Sequence, residues 1–236
     1  MREAFPCDCA HRASVRDNGR MRRERDRFRN RVDAGHRLAD RLRAYQGREN
    51  AIVLGLPRGG VPVASVIASS LALPLDVLIV RKLGVPGYEE VAFGAIASGG
   101  IEVLNPSVIR SAHVDQVDIE RVRSEQTREL ARRELAYRGD RPPLEVGDRT
   151  VIVVDDGTAT GATMRAAVEA LRVAAPHKII VAVGVAPPDV KKQLEESADE
   201  VVAVFTPRTF MAVGAWFDDF NQTSDAEVVA LLADRD

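Results

Sequence analysis

Short apolar runs alternate with amphipathic stretches along most of the chain. Over 28–45, Val32, Leu38, Leu42 and Tyr45 fall near one stripe, which predicts an amphipathic helix. AIVLGL (51–56) is an apolar run with the length of a buried strand; the turn PRGG follows it, then a helix over about 61–72. PLDVLIV (74–80) reads as another strand, and VAFGAIA and IEVLN, separated by Ser98-Gly99-Gly100, read as a hairpin. A long charged helix is expected over 114–138, and the segment 139–147, with Pro142-Pro143, reads as a linker. Beyond it lie the strand TVIVV, a loop, a helix over about 162–174, the strand KIIVAVGVA, the helix PDVKKQLEESA and the strand EVVAVF.

Strands that alternate with helices predict right-handed βαβ units. Near-continuous Val/Ile/Leu runs agree, because parallel strands are covered on both faces. The expected fold class is therefore α/β, an open, mostly parallel twisted sheet with helices on both faces. Residues 206–236 hold the only tryptophan and a terminal helix, and are expected to form a small cap.

Composition changes this picture only at the N-terminus. Apolar residues make up 45% and the net charge is −2, which gives no overall pull towards nucleic acid or anionic membrane. Residues 1–31, however, carry ten arginines against five acidic residues. Residues 1–27 are expected to be a solvated, disordered basic tail, with 28–236 forming one domain. Cys7 and Cys9 lack the spacing of a zinc site, and the four histidines are scattered. No apolar run reaches the roughly 18–20 residues of a membrane span, and no hydrophobic leader is evident. A cytoplasmic protein is expected, with no membrane partner.

The chemistry concentrates in VIVVDDGTATGAT (151–163). Four β-branched residues end at two adjacent carboxylates, Asp155 and Asp156, and Gly157-Thr158-Ala159-Thr160-Gly161 then leads into a helix. Small residues before a helix start expose backbone N–H groups, and the helix dipole adds positive potential, so the loop suits a phosphate. Thr158, Thr160 and Thr163 add hydroxyl donors. The loop has no lysine and so is not the common G-x-x-x-x-G-K-[ST] nucleotide loop. Carboxylates beside a phosphate must serve another part of the same ligand, such as a ribose diol or a divalent cation bridging sugar and pyrophosphate.

The segment resembles the phosphoribosyl-pyrophosphate motif of type I phosphoribosyltransferases. LGLPRGGVPVA (54–64) resembles the pyrophosphate loop of that family, which implies that Arg58, Gly59 and Gly60 contact the leaving group. Arg81-Lys82, at the end of the strand LDVLIV and before Gly84, Pro86 and Gly87, resembles a basic pair beside the family's mobile flap, to which Glu89 and Glu90 would belong. FMAVGAWFDDF (210–220) resembles the hood over the base, formed mainly by about 206–236 with the N-terminal helix. Phe210, Trp216 and Phe217 are its candidates for stacking on the base, and Asp218 or Asp219 for reaching metal.

The resemblance covers roughly 28–220 and is strongest to a bacterial branch of predicted phosphoribosyltransferases. It implies Mg²⁺, held at Asp155 and Asp156 through ribose hydroxyls or water, and displacement of pyrophosphate from phosphoribosyl pyrophosphate by a free base. Asp155, Asp156, Arg81 and Lys82 are the expected catalytic residues, and the loop 157–161 with Thr163 the expected phosphate site. Where purine-salvage members often carry a carboxylate, this chain has Ala159, which argues against a hypoxanthine- or guanine-type acceptor. A homodimer is compatible with the family. Two other readings stand beside the enzyme: a regulator that senses phosphoribosyl pyrophosphate and binds nucleic acid, and a scaffold whose partner supplies the activity.

Overall fold

The computed structural model describes residues 27–233, so the expected tail lies outside the described residues except for Arg27. A five-stranded parallel sheet runs through the molecule in the order β2-β1-β6-β7-β8. Its strands are β1 (Ala51–Gly55), β2 (Leu75–Val77), β6 (Thr150–Gly157), β7 (Lys178–Val185) and β8 (Glu200–Phe205). A second, antiparallel sheet is made of β3 (Val80–Val85), β4 (Tyr88–Ala97) and β5 (Ile101–Leu104).

Helices cover both faces of the parallel sheet, and side-chain alternation divides its core in two. Val53, Ile152, Val154 and Ile180 face one side, packed with residues of α1 (Arg31–Arg41) and α2 (Gly60–Leu71). Leu54, Val151, Val153 and Val181 face the other, packed with α5 (Ala162–Val173) and α6 (Pro188–Glu195). The helix expected over 28–45 is shorter, Arg31–Arg41, and is followed by a 3-10 turn at Arg43–Tyr45; Leu38, Leu42 and Tyr45 of the predicted stripe are buried, whereas Val32 is half-exposed. Among the described residues no helix is long and apolar enough to cross a membrane.

Two segments depart from the sequence expectation. The single strand expected over 74–80 is broken at Leu78-Ile79, whose buried side chains mark a corner where the chain leaves the parallel sheet for the antiparallel one. A short helix, α3 (Pro106–Ser111), was not expected; Asn105 caps it by accepting from the Ser107 and Val108 amides. The long charged helix is α4 (Gln116–Arg138).

At the end of α4, Arg138 reaches back to the edge strand β2. Its Nε and Nη2 each donate to the Asp76 carboxylate at 3.0 Å, and the two side chains are only 8% and 13% exposed. Breaking a buried pair strands the other charge, so Arg138→Met is expected to cost about 3 kcal/mol or more. Urea denaturation would read this as a fall in midpoint; an unchanged midpoint would show that the pair contributes nothing net.

Candidate functional site

Between β1 and β6 the order of the parallel sheet reverses direction. The chain leaves β1 towards β2 on one side, and leaves β6 towards β7 and β8 on the other. The two strands pair in parallel from Ala51↔Thr150 to Gly55↔Val154, so the loops after them open side by side at the carboxyl end of the sheet. Crevices at such a reversal are where open α/β sheets bind ligands.

The loop after β6 is pinned by its own threonines. The Thr158 amide donates to the Val185 carbonyl at 2.9 Å, and Thr158 Oγ1 accepts from the Gly161 amide at 2.9 Å. Gly161 caps α5 with φ of 70°, a conformation open to glycine. The first-turn amides of α5 have no partner within the helix, and Ala159, Thr160 and Thr163 are exposed around them. These are the elements of an anion cradle. Arg165, one turn into α5, holds the loop from behind by donating to the Thr160 carbonyl at 2.8 Å and to Gln193 at 2.9 Å.

Asp155 and Asp156 sit where β6 ends. The Asp155 carboxylate accepts from the Asp156 amide at 2.9 Å. Burial pushes the Asp155 carboxyl well above the usual range, and the neighbouring Asp156 charge pushes it further. Burial raises Asp156 too, but Arg31 draws it back down. Arg31, the first residue of α1, donates through Nε to Asp156 Oδ2 at 2.8 Å and through Nη1 to the Asn221 carbonyl at 2.6 Å. Its guanidinium lies over the Phe220 ring at 4.0 Å.

Across the reversal point, Gly59 and Gly60 let the turn after β1 approach the aspartates. A Cβ on Gly59 would stand 2.2 Å from Asp156 Oδ2, and one on Gly60 would stand 2.4 Å from the Val154 carbonyl oxygen. The Pro57–Arg58 peptide bond is cis. The Arg58 guanidinium is part-exposed and lies 3.6 Å from Asp225, the first residue of α7 (Asp225–Ala233). Asp225 also accepts from the Tyr137 hydroxyl at 2.7 Å, and burial together with that bond pushes Tyr137 up to about 12. A cleft of about 350 Å³ is enclosed by Arg31, Arg58, Gly59, the two aspartates, Phe220, Gln222 and Thr223.

Arg81 and Lys82 are placed differently from the sequence expectation. They lie within β3 of the antiparallel hairpin, rather than at the end of a parallel strand, and consecutive strand residues face opposite sides. Arg81 donates through Nε to Gln126 of α4 at 2.8 Å. Lys82 pairs with Glu90 at 3.5 Å and borders a groove with Ala162 and Arg165 of α5. Both also line one groove of about 450 Å³ with Gly84, Glu90 and Gln126. Gly84, Pro86, Gly87, Glu89 and Glu90 surround the hairpin turn.

The hood is anchored by aromatic packing. Phe28 stacks with Phe205 at 4.7 Å and Phe217 at 4.9 Å, and Trp216 packs on Phe205 at 5.7 Å. The Phe28 amide donates to the Trp216 carbonyl, and the Asp218 amide to the Phe28 carbonyl, both at 2.8 Å. Trp216 and Phe217 thus hold the hood to the N-terminal segment, and the aromatic ring on the cleft is Phe220. Phe210 is half-buried and lines no part of that cleft. Asp218 is exposed and faces Arg27 at 3.7 Å; among the described residues no third acidic, histidine or cysteine side chain joins Asp155 and Asp156. Asp218, the expected metal ligand of the hood, thus lies at the surface beside Arg27 and does not line the cleft.

The phosphoribosyl transferase domain model matches residues 26–216, a span that holds both loops and the start of the hood. The chain belongs to this family. It is 48% identical over 205 residues to a Mycobacterium tuberculosis protein named "Putative phosphoribosyl transferase", found in two strains, covering 87% of this chain and 46% of that protein. The chain thus spans about half the length of the curated relatives it matches. A crystal structure of TT1426 from Thermus thermophilus is 44% identical, covers 89% of this chain and 99% of its own, and superposes with a TM-score of 0.81. Within this phosphoribosyl transferase domain, sequence reasoning missed Arg31, Phe220, Thr223 and Asp225. The signal for Arg31 was present but masked: it stands last in a run of arginines, directly before the amphipathic stripe.

Proposed function

We propose that this chain transfers the 5-phosphoribosyl group of phosphoribosyl pyrophosphate to a nitrogen acceptor, releasing pyrophosphate, with Mg²⁺ as cofactor. The observation that carries this reading is the acidic pair at the end of β6, set between an anion-binding helix start and the Arg58 turn. A 5-phosphate on the amides and hydroxyls of 158–163 leaves the ribose diol to the carboxylates. The pyrophosphate is then directed to the turn at Arg58, Gly59 and Gly60. The donor set also fits Mg²⁺, which is commonly held by one or two carboxylates with substrate phosphate oxygens and water completing its shell. Asp155 and Asp156 would hold it, and it would neutralise charge on the leaving pyrophosphate.

In the transfer, the bond from C1 to the pyrophosphate oxygen breaks with its electron pair leaving on oxygen. The acceptor nitrogen forms the new bond to C1 and gives up a proton to solvent. Charge builds on the sugar and on the leaving group, so the protein's share is positioning and electrostatic stabilisation. Arg58 stabilises the departing pyrophosphate, the aspartates fix the sugar, and the first turn of α5 fixes the phosphate. Lys82 borders the same side as α5 and joins the site if the β3–β4 hairpin moves towards it; Arg81 contributes by tying that hairpin to α4. Ala159 carries no group to handle a purine ring nitrogen, which favours acceptors other than hypoxanthine or guanine.

Pyrophosphate release from phosphoribosyl pyrophosphate and Mg²⁺, measured across a panel of free bases, tests the reading. Release that depends on one acceptor is the expected result. No release with any acceptor, with donor binding that alters salt-dependent binding to RNA or DNA, would replace the enzyme by a sugar-phosphate-sensing regulator.

A further inference from the structure

We infer that Arg31, supplied by the N-terminal helix, is a pyrophosphate-binding residue of the donor site, acting with Arg58. The inference rests on the proposed function and adds a residue to it. Two guanidiniums, Arg31 and Arg58, line the cleft that also contains the aspartate pair and Gly59. Both have unused capacity. A guanidinium carries five N–H donors. Arg31 uses Nε on Asp156 and Nη1 on the Asn221 carbonyl, and its Nη2 bonds to no described residue. Arg58 makes a single 3.6 Å contact with Asp225 and no hydrogen bond among the described residues.

Arg31 is also held for this task. Phe220 supports its guanidinium at 4.0 Å, and that ring is itself packed on Phe217 at 4.9 Å. The side chain is only 13% exposed, so its orientation is fixed before a ligand arrives and little rotamer entropy remains to be lost. Thr223 and Gln222 also line the cleft and add a hydroxyl and an amide that can donate to phosphate oxygens. The Arg31–Asp156 pair then has a role in the empty site. It keeps a buried carboxylate balanced through Nε and holds the guanidinium in place, which leaves Nη2 to the anion. This accounts for a cation on the very carboxylate the sugar needs, which a purely sugar-binding pair would not require. It also assigns the second cation of the pyrophosphate site to α1, whereas Arg81 and Lys82 line a different groove, beside Gln126 of α4.

Calorimetric titration of the full chain with three probes tests this: phosphoribosyl pyrophosphate with Mg²⁺, inorganic pyrophosphate with Mg²⁺, and ribose 5-phosphate. Arg31→Gln is expected to weaken the two pyrophosphate-bearing probes about tenfold or more, the loss of a charge-assisted contact, while ribose 5-phosphate changes by less than about twofold. Arg31→Lys should recover part of the loss, and Arg29→Gln, which removes an exposed charge two residues away, should bind all three probes as the wild type does. Equal weakening of ribose 5-phosphate would overturn the inference and make Arg31 a strut for Asp156. Unchanged pyrophosphate binding by a folded Arg31→Gln protein, judged by circular dichroism, would overturn it as well. A wild-type chain that binds none of the probes would instead sink the proposed function, so the two failures are distinguishable.

Discussion

Replacing Asp155 and Asp156 together by asparagine is expected to lower affinity for phosphoribosyl pyrophosphate by about 100-fold or more, and to abolish transfer. In the proposed site each carboxylate would accept a ribose hydroxyl in a charge-assisted hydrogen bond worth about 1.5–3 kcal/mol, and two such losses span about two to four decades. Asparagine keeps the shape of aspartate, so the strand end should persist. The substitution also removes two adjacent carboxylate charges from a site where burial, and after it the Asp156 charge, pushes Asp155 well above the usual range. That gain is offset at Arg31, a 13% exposed guanidinium that loses its carboxylate partner but keeps an amide oxygen to donate to, so thermal stability should change little while binding collapses. That contrast separates a functional from a structural role. A pair kept for use can be lost at little cost to the fold, whereas loss of a structural pair destabilises it. The measurement is donor titration beside a melting curve. Donor binding equal to that of the wild type would refute the assignment of the sugar to this pair.

The parallel sheet was legible in the sequence because its strands are buried on both faces and so appear as unbroken apolar runs, VIVV and KIIVAV among them. The sugar-phosphate loop was legible because its residues are consecutive: strand end, acidic pair, loop and helix start are one segment. Arg31 and Asp225 were not legible for the opposite reason. They meet the site from elements 125 residues before Asp156 and 69 residues after it, and only the packing of α1 and α7 over the carboxyl end of the sheet brings them there. The strand over 74–80 misled for a local reason. Periodicity sees one apolar run, but a buried corner at Leu78-Ile79 turns the chain between two sheets without changing its polarity. That corner moved Arg81 and Lys82 from a strand end into a hairpin. Trp216 misled because an aromatic ring that anchors a hood and one that stacks on a ligand have the same sequence signature.

Gly59 and Gly60 are neighbours in one turn, yet alanine at each is expected to fail in a different way. Gly60 opens α2, and a Cβ there would lie 2.4 Å from the Val154 carbonyl oxygen and 3.0 Å from the Asp155 Cα. Both are backbone atoms of a central strand paired on both sides, so neither can yield cheaply. Forced overpacking of this kind costs about 1–3 kcal/mol or more. For a chain of this size it should lower the melting temperature by about 2–4 °C per kcal/mol. Gly59 is different. Its φ of −62° and ψ of −31° suit alanine, and the atom a Cβ would meet, at 2.2 Å, is Asp156 Oδ2. A carboxylate can rotate where a carbonyl in a sheet cannot, so the clash resolves by turning Asp156 away from the sugar while it stays paired with Arg31. Gly59→Ala is therefore expected to keep its melting temperature within about 2–4 °C of the wild type, a cost near 1 kcal/mol. Donor affinity should fall about tenfold, the weight of one misplaced charged hydrogen bond. Scanning calorimetry and donor titration on the two variants give the comparison. A Gly60→Ala protein as stable as the wild type would show that the turn is not packed on β6 as described. A Gly59→Ala protein with unaltered affinity would show that the position of the Asp156 carboxylate does not govern binding.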